Sequence, residues 1–165
     1  MESVARFDKF LDTSEISCFN TPSINTKWCL KMKDDDHSCI DYFYIDKEND
    51  KYCSIFILNK IRKKFNLDFK LKSVKIIGQT YASGENYYKE EDGVYTCIIY
   101  LTDFACNRQD IINGYTQLDD GNRVLSVAPK YNRLLLFDSN IRYKIRGPSR
   151  FTTEILTALC YKLYV

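Results

Sequence analysis

The sequence predicts a mainly β domain of the α+β kind, a double-sheet jelly roll with an N-terminal helical layer. Three observations carry this expectation. From residue 71 onward the apolar residues recur with a period of two, in short runs rich in β-branched and aromatic side chains. Clusters of Gly, Asn, Asp or Pro separate these runs at close spacing, the habit of a sandwich, jelly roll or barrel. The length, 165 residues, suits one hydrophobic core better than two. The chain is therefore read as one domain, 1–165, in which 1–70 is irregular and helical support and 71–165 is the strand core.

The first 50 residues show no sustained period. They contain a turn at "TPS" (21–23), the single tryptophan Trp28, and an acidic loop "KDDDH" from Lys33 to His37. From Lys51, "KYCSIFILNKIRKKF" places Ile55, Leu58, Ile61 and Phe65 three and four residues apart, which predicts an amphipathic helix covering one face of a sheet. The strand candidates follow: "LKSVKIIGQTYASG" (71–84), "VYTCIIYLT" (94–102), "GYTQL" (114–118), "RVLSVA" (123–128), "RLLLFD" (133–138), "IRYKI" (141–145) and "FTTEILTALCYKLYV" (151–165).

Composition narrows the function classes. Apolar residues make up 45%, aromatic 15% and charged 28%, the profile of a globular chain with an aromatic-rich core. A net charge of +2 from 24 basic and 22 acidic residues gives no field that calls for nucleic acid, and "KIRKKF" and "RYKIR" read as solvated faces. No window is long and apolar enough for a membrane span. The 7 cysteines form no CxxC pair, and "MESVARFDKF" lacks the apolar run of a signal peptide, which together predict a reducing, cytoplasmic setting with Cys97 and Cys160 buried. There is no P-loop and no dinucleotide fingerprint. A nucleophilic site would have to use His37, the only histidine, beside three aspartates.

Five pieces of the strand region carry a resemblance: "GQTYASG", "YTCIIYLT", "NGYTQL", "APKYNRLLLFDS" and Arg150-Phe151. In that order and at that spacing, residues 71–155 resemble the double-stranded β-helix of the iron(II)- and 2-oxoglutarate-dependent oxygenases, most closely the prolyl-hydroxylase-like branch. The resemblance implies a facial triad of two histidines and a carboxylate, the first two ligands arranged as H-x-D, with three iron positions left open. Counting back from "YTCIIYL" puts Tyr87 and Lys89 on the H-x-D positions; counting forward from Gly84 puts Glu90 and Asp92 there. The distal histidine falls on Tyr143, or on Ile145 if the loop is counted longer. No register supplies an imidazole, and one histidine in the whole chain cannot furnish two. The resemblance also implies a 2-oxoglutarate grip by Arg150, assisted by Tyr81 and Tyr100.

The expected function is thus a catalytically inactive, oxygenase-like protein without metal or cofactor, acting as a protein-binding module whose partner is a protein. The alternatives are a metal-independent 2-oxoglutarate sensor, or an atypical metal-dependent oxygenase built on the acidic run from Glu90 to Asp92. The wealth of Ile, Lys, Asn and Tyr fits an AT-rich genome such as that of a large DNA virus. Poxviruses encode prolyl-hydroxylase-like domains, so a viral modulator of host sensing or signalling is the expected setting.

Overall fold

The structure, a computed structural model, describes residues 4–19, 28–32, 40–80, 86–102, 114–149 and 155–165. Its elements in chain order are β1 (Val4–Phe7), α1 (Thr13–Ser17), β2 (Cys29–Met32), β3 (Ile40–Asp46), a π-helical stretch (Tyr52–Ile57) running into α2 (Leu58–Phe65), β4 (Lys70–Gln79), β5 (Val94–Tyr100), β6 (Thr116–Asp119), β7 (Val124–Val127), β8 (Leu134–Asp138), β9 (Arg142–Ile145) and β10 (Leu156–Tyr164). Among the described residues the strands form two sheets. The larger has the order β1-β8-β5-β10-β4-β3-β2 and the smaller β7-β6-β9. Antiparallel pairing runs throughout, and Tyr88 adds a single bridge to Tyr143 on the β9 edge.

The continuous apolar runs follow from the large sheet being covered on both faces. On one face Val74, Ile76, Cys97, Ile99, Leu134, Leu136, Leu159 and Tyr161 pack with Ile57, Leu58 and Ile61. On the other, Ile77, Ile98, Tyr100, Leu135, Phe137, Leu156 and Ala158 meet Leu118, Val127, Tyr143 and Ile145 from the small sheet. The second cluster is the interior of the jelly roll. Gly78 sits at a close approach, where a Cβ would lie 3.0 Å from the Trp28 ring.

Two expectations change. The N-terminal region is not simply irregular, since β1 extends the sheet beside β8 and β2 and β3 extend it beyond β4. The helix does form, but Ile55 is 53% exposed while Cys53 and Ile57 are buried. A π-helical turn holds more residues than an α-helical one. The buried stripe therefore runs through Cys53, Ile57 and Ile61, and a strict 3.6-residue period picks the wrong isoleucine.

Asn132, at φ +60°, fixes the entry to β8. Its side chain accepts from Leu11 N at 2.7 Å and donates to Leu11 O at 2.6 Å, tying the N-terminal segment to the sheet. Among the described residues no helix is long and apolar enough to cross a membrane. Cys18, Cys29, Cys53, Cys97 and Cys160 are free thiols, Cys97 buried and Cys160 partly so.

Candidate site at the mouth of the jelly roll

The Tyr88 bridge decides which side chains enter the barrel. Tyr88 N donates to Tyr143 O at 2.7 Å, and Tyr143 N donates to Tyr88 O at 2.8 Å. In extended backbone, neighbours point to opposite sides, so a register one residue off turns every side chain over. Tyr88 and Glu90 turn inward, whereas Tyr87 and Lys89 are exposed. Tyr87 and Lys89, expected on the H-x-D positions, thus face away from the barrel interior, and Tyr88 and Glu90 face into it. Tyr87 instead lies on the outer face of the small sheet, its ring under Lys144 at 4.6 Å and Arg142 at 5.8 Å.

Tyr143 points inward and is buried. Its hydroxyl donates to Glu90 Oε1 at 3.1 Å. A residue that sequence reasoning passed over completes the cluster. Lys162 of β10 donates to Glu90 Oε1 at 2.5 Å, to Thr96 Oγ1 at 3.0 Å and to the Tyr143 hydroxyl. Its ammonium also lies 4.4 Å from the Tyr143 ring centroid. Burial, with the Cys160 thiol and the Glu90 carboxylate alongside, pushes the Tyr143 phenol well above its ordinary range, so it stays protonated. Lys162 could have been found from alternation: Ala158 and Cys160 lie on the inward face of β10, and the next inward residue is a charge that needs a buried partner.

Beside the cluster lies a cavity of about 110 Å³, formed by the inward faces of β4, β9 and β10 with Tyr42 and Tyr88. Gln79, 3% exposed, donates through Nε2 to Ile145 O. Its Oε1 and the Tyr88 hydroxyl are buried with no hydrogen-bond partner.

The remaining candidates do not gather here. The acidic run diverges: Glu90 pairs with Lys162, Glu91 with Lys72 at 2.9 Å, and Asp92 is exposed in a turn. Tyr100 is completely buried and its hydroxyl bonds Thr116 Oγ1. Ile145 packs in the barrel core. Arg150, Tyr81 and His37 lie outside the described residues. β10 itself carries no arginine; its inward residues are Leu156, Ala158, Cys160 and Lys162.

No known family model matches the chain, and no curated protein matches its sequence. Solved structures do match in fold. A prolyl hydroxylase from Trichoplax adhaerens, solved in complex with a hypoxia inducible factor oxygen degradation domain peptide fragment, superposes with a TM-score of 0.70 at 16% identity, over 99% of this chain and 84% of its own. A 2OG-Fe(II) family oxidoreductase from Burkholderia pseudomallei gives 0.71 at 11% identity, over 98% and 85%. The chain has the 2-oxoglutarate oxygenase fold. A prolyl-4-hydroxylase from Pseudomonas putida agrees, with a TM-score of 0.68 at 10% identity over 98% of this chain and 91% of its own.

An oxygenase fold implies iron at this mouth, and the residues present do not fit it. The inward donors are a phenol, a carboxylate and a second phenol where two imidazoles and a carboxylate are needed. The phenol of Tyr143 is held neutral, and the carboxylate already faces an ammonium. Among the described residues no three His, Cys, Asp or Glu side chains are grouped to hold a metal ion.

Proposed function

We propose that this chain is a catalytically inactive protein of the oxygenase fold, retained as a protein-binding module. The observation that carries the proposal is Lys162, whose ammonium bonds Glu90 at 2.5 Å and also reaches Tyr143 and Thr96. The one inward carboxylate of the cluster is thereby neutralised by a cation that belongs to the chain, and a divalent ion would have to displace it against like-charge repulsion. Sequence supports the same reading, because a single histidine cannot supply a two-imidazole site in any alignment.

The binding half of the proposal rests on the outer face of the small sheet, where Tyr87 offers an amphipathic ring flanked by Arg142 and Lys144. The Trichoplax neighbour was solved holding a peptide fragment. A protein partner is proposed here too, with the cytoplasm as the setting and a viral modulator of host sensing or signalling as the biological context that the composition favours.

The test is metal content of protein purified without chelator, read together with thermal melting in iron(II) or manganese(II) and 2-oxoglutarate. No stoichiometric metal and no change in melting temperature are expected. Stoichiometric metal together with stabilisation by 2-oxoglutarate would overturn the proposal.

A further inference from the structure

We propose that the groove between the β1–α1 connection and α2 binds a small molecule carrying clustered phosphates, with Lys9, Lys63 and Lys64 as its anchors. This goes beyond the inactive-oxygenase reading and does not depend on it, because the groove lies on the helix-covered face of the large sheet, away from the barrel interior. Its volume of about 510 Å³ suits a small molecule. Phe7 and Phe10 line it, and an ammonium stands over each ring, Lys64 at 4.1 Å from the Phe7 centroid and Lys60 at 5.8 Å from that of Phe10. Lys9 and Lys63 line the same groove and are exposed.

The backbone at Lys9 is the observation that the fold leaves unexplained. Among the described residues, three other than glycine take a left-handed backbone: Asn66 at φ +51°, Asn132 at φ +60° and Lys9 at φ +56°. Asparagine tolerates this conformation, whereas a lysine is strained in it. The turn is imposed from both sides. Asp8 is gripped by Arg133 and Lys130, and Phe10 N and Leu11 N donate to Asn132 O at 3.1 Å and Asn132 Oδ1 at 2.7 Å. Glycine or asparagine would make the turn at lower cost, so what lysine adds at position 9 is its ammonium. Lys63 and Lys64 also serve the helix, whose C-terminal end favours cations, but Lys9 has no such reason to be basic.

Charge then selects the ligand. The two lining carboxylates are engaged: Asp8 by Arg133 at 2.6 Å and Lys130 at 2.8 Å, and Asp12 by Lys60 at 3.4 Å, which also bonds Glu15. With those partners counted, Lys9, Lys60, Lys63, Lys64, Lys130 and Arg133 face Asp8, Asp12 and Glu15, a surplus of three positive charges. Arg62 and Asp68 flank the groove as a neutral pair at 3.7 Å. The end of α2 returns about half a negative charge at most. Among the described residues no carboxylate lies within ion-pair distance of Lys9, Lys63 or Lys64. One phosphate monoester carries about two negative charges and leaves part of the surplus, while two or three linked phosphates meet it. Lysine ammoniums are compact point charges suited to such concentrated charge, whereas the planar fork that grips carboxylates belongs to arginine, and the arginine here is already spent on Asp8.

Titration calorimetry with tripolyphosphate at about 0.1 M salt, where separated surface charges are screened beyond about 10 Å, tests the proposal. Saturable one-to-one binding is expected. Tighter binding of ATP, or of inositol hexakisphosphate, would then identify a base or a cyclitol ring as the carrier of the phosphates. Citrate, hexaglutamate and an oligothymidylate should all bind more weakly. Lys9→Asn keeps a residue suited to the turn, so it should melt no lower than the wild type while binding tripolyphosphate at least about fivefold more weakly. Lys51→Asn removes the same charge from the far, exposed end of the helical segment and should leave the affinity within about twofold. No saturable binding, equal or tighter binding of citrate, hexaglutamate or oligothymidylate, wild-type affinity or a lower melting temperature in Lys9→Asn, or an equal loss in Lys51→Asn would each overturn it.

Discussion

Asn132 and Arg133 show how a motif that resembles enzyme sequence can be structural at the residue scale. Asn132 adopts the left-handed conformation that asparagine tolerates better than most residues, and both ends of its amide bond the Leu11 backbone. Arg133 grips Asp8 at 2.6 and 3.1 Å, and Lys130 reaches the same carboxylate at 2.8 Å. The Arg133 hydrogen bonds, helped by Lys130, hold Asp8 well below the usual carboxylate range. A carboxylate depressed in the folded state contributes stability above its unfolded value, about 4, and loses that contribution as pH falls toward the folded value. Asp8→Asn should therefore lower the melting temperature at pH 7, with the gap to the wild type narrowing steadily below pH about 4. Melting curves collected from pH 7 to pH 2 check this, and a gap that stayed constant across the series would refute the linkage. Sequence alone showed the "NR" pair but not Asp8, because its partner lies more than a hundred residues away.

At the scale of the element, the strands of the jelly roll were legible and the phase within two segments was not. Strand positions came through because two-residue alternation and turn clusters are local signals. The helical segment went astray by a π-helical turn, which changes the period without leaving a compositional mark. The inward parity of the Tyr88 segment could not be read from sequence, because aromatic and charged residues stand at adjacent positions in "NYYKEED" and either parity looked acceptable. What fixes the parity is the backbone bridge to Tyr143, a tertiary fact. The helical phase gives a paired prediction. Ile57→Ala, at a completely buried position, should cost about 2–5 kcal/mol, while Ile55→Ala should stay within about 0.5 kcal/mol of the wild type. Urea denaturation of both variants measures it, and the reverse order would restore the 3.6-residue reading.

For the whole molecule, the order of strand motifs was enough to anticipate the jelly roll, whereas the short flanking strands β1 and β2 carry too few residues for a period to register. Polar ties between the two sheets were also hidden, since each joins positions far apart in sequence. Tyr100 to Thr116, Gln79 to Ile145 O, and Lys162 to Glu90 and Tyr143 all cross the barrel interior. The last differs in being ionic, and both of its charged side chains are largely buried, 16% exposed for Lys162 and 20% for Glu90. Removing one member of such a pair strands the other in a poorly solvated place, while removing both removes the problem. Residual solvent access moderates the penalty. Lys162→Met and Glu90→Gln should each cost on the order of 2 kcal/mol, and the double variant should lie closer to the wild type than the sum of the two. A double-mutant cycle by urea denaturation reads the coupling directly. Strong coupling means that the internal cation holds the mouth of the barrel together. Additive single effects would mean that the ammonium is a bystander, and the charge-replacement argument would lose its structural basis.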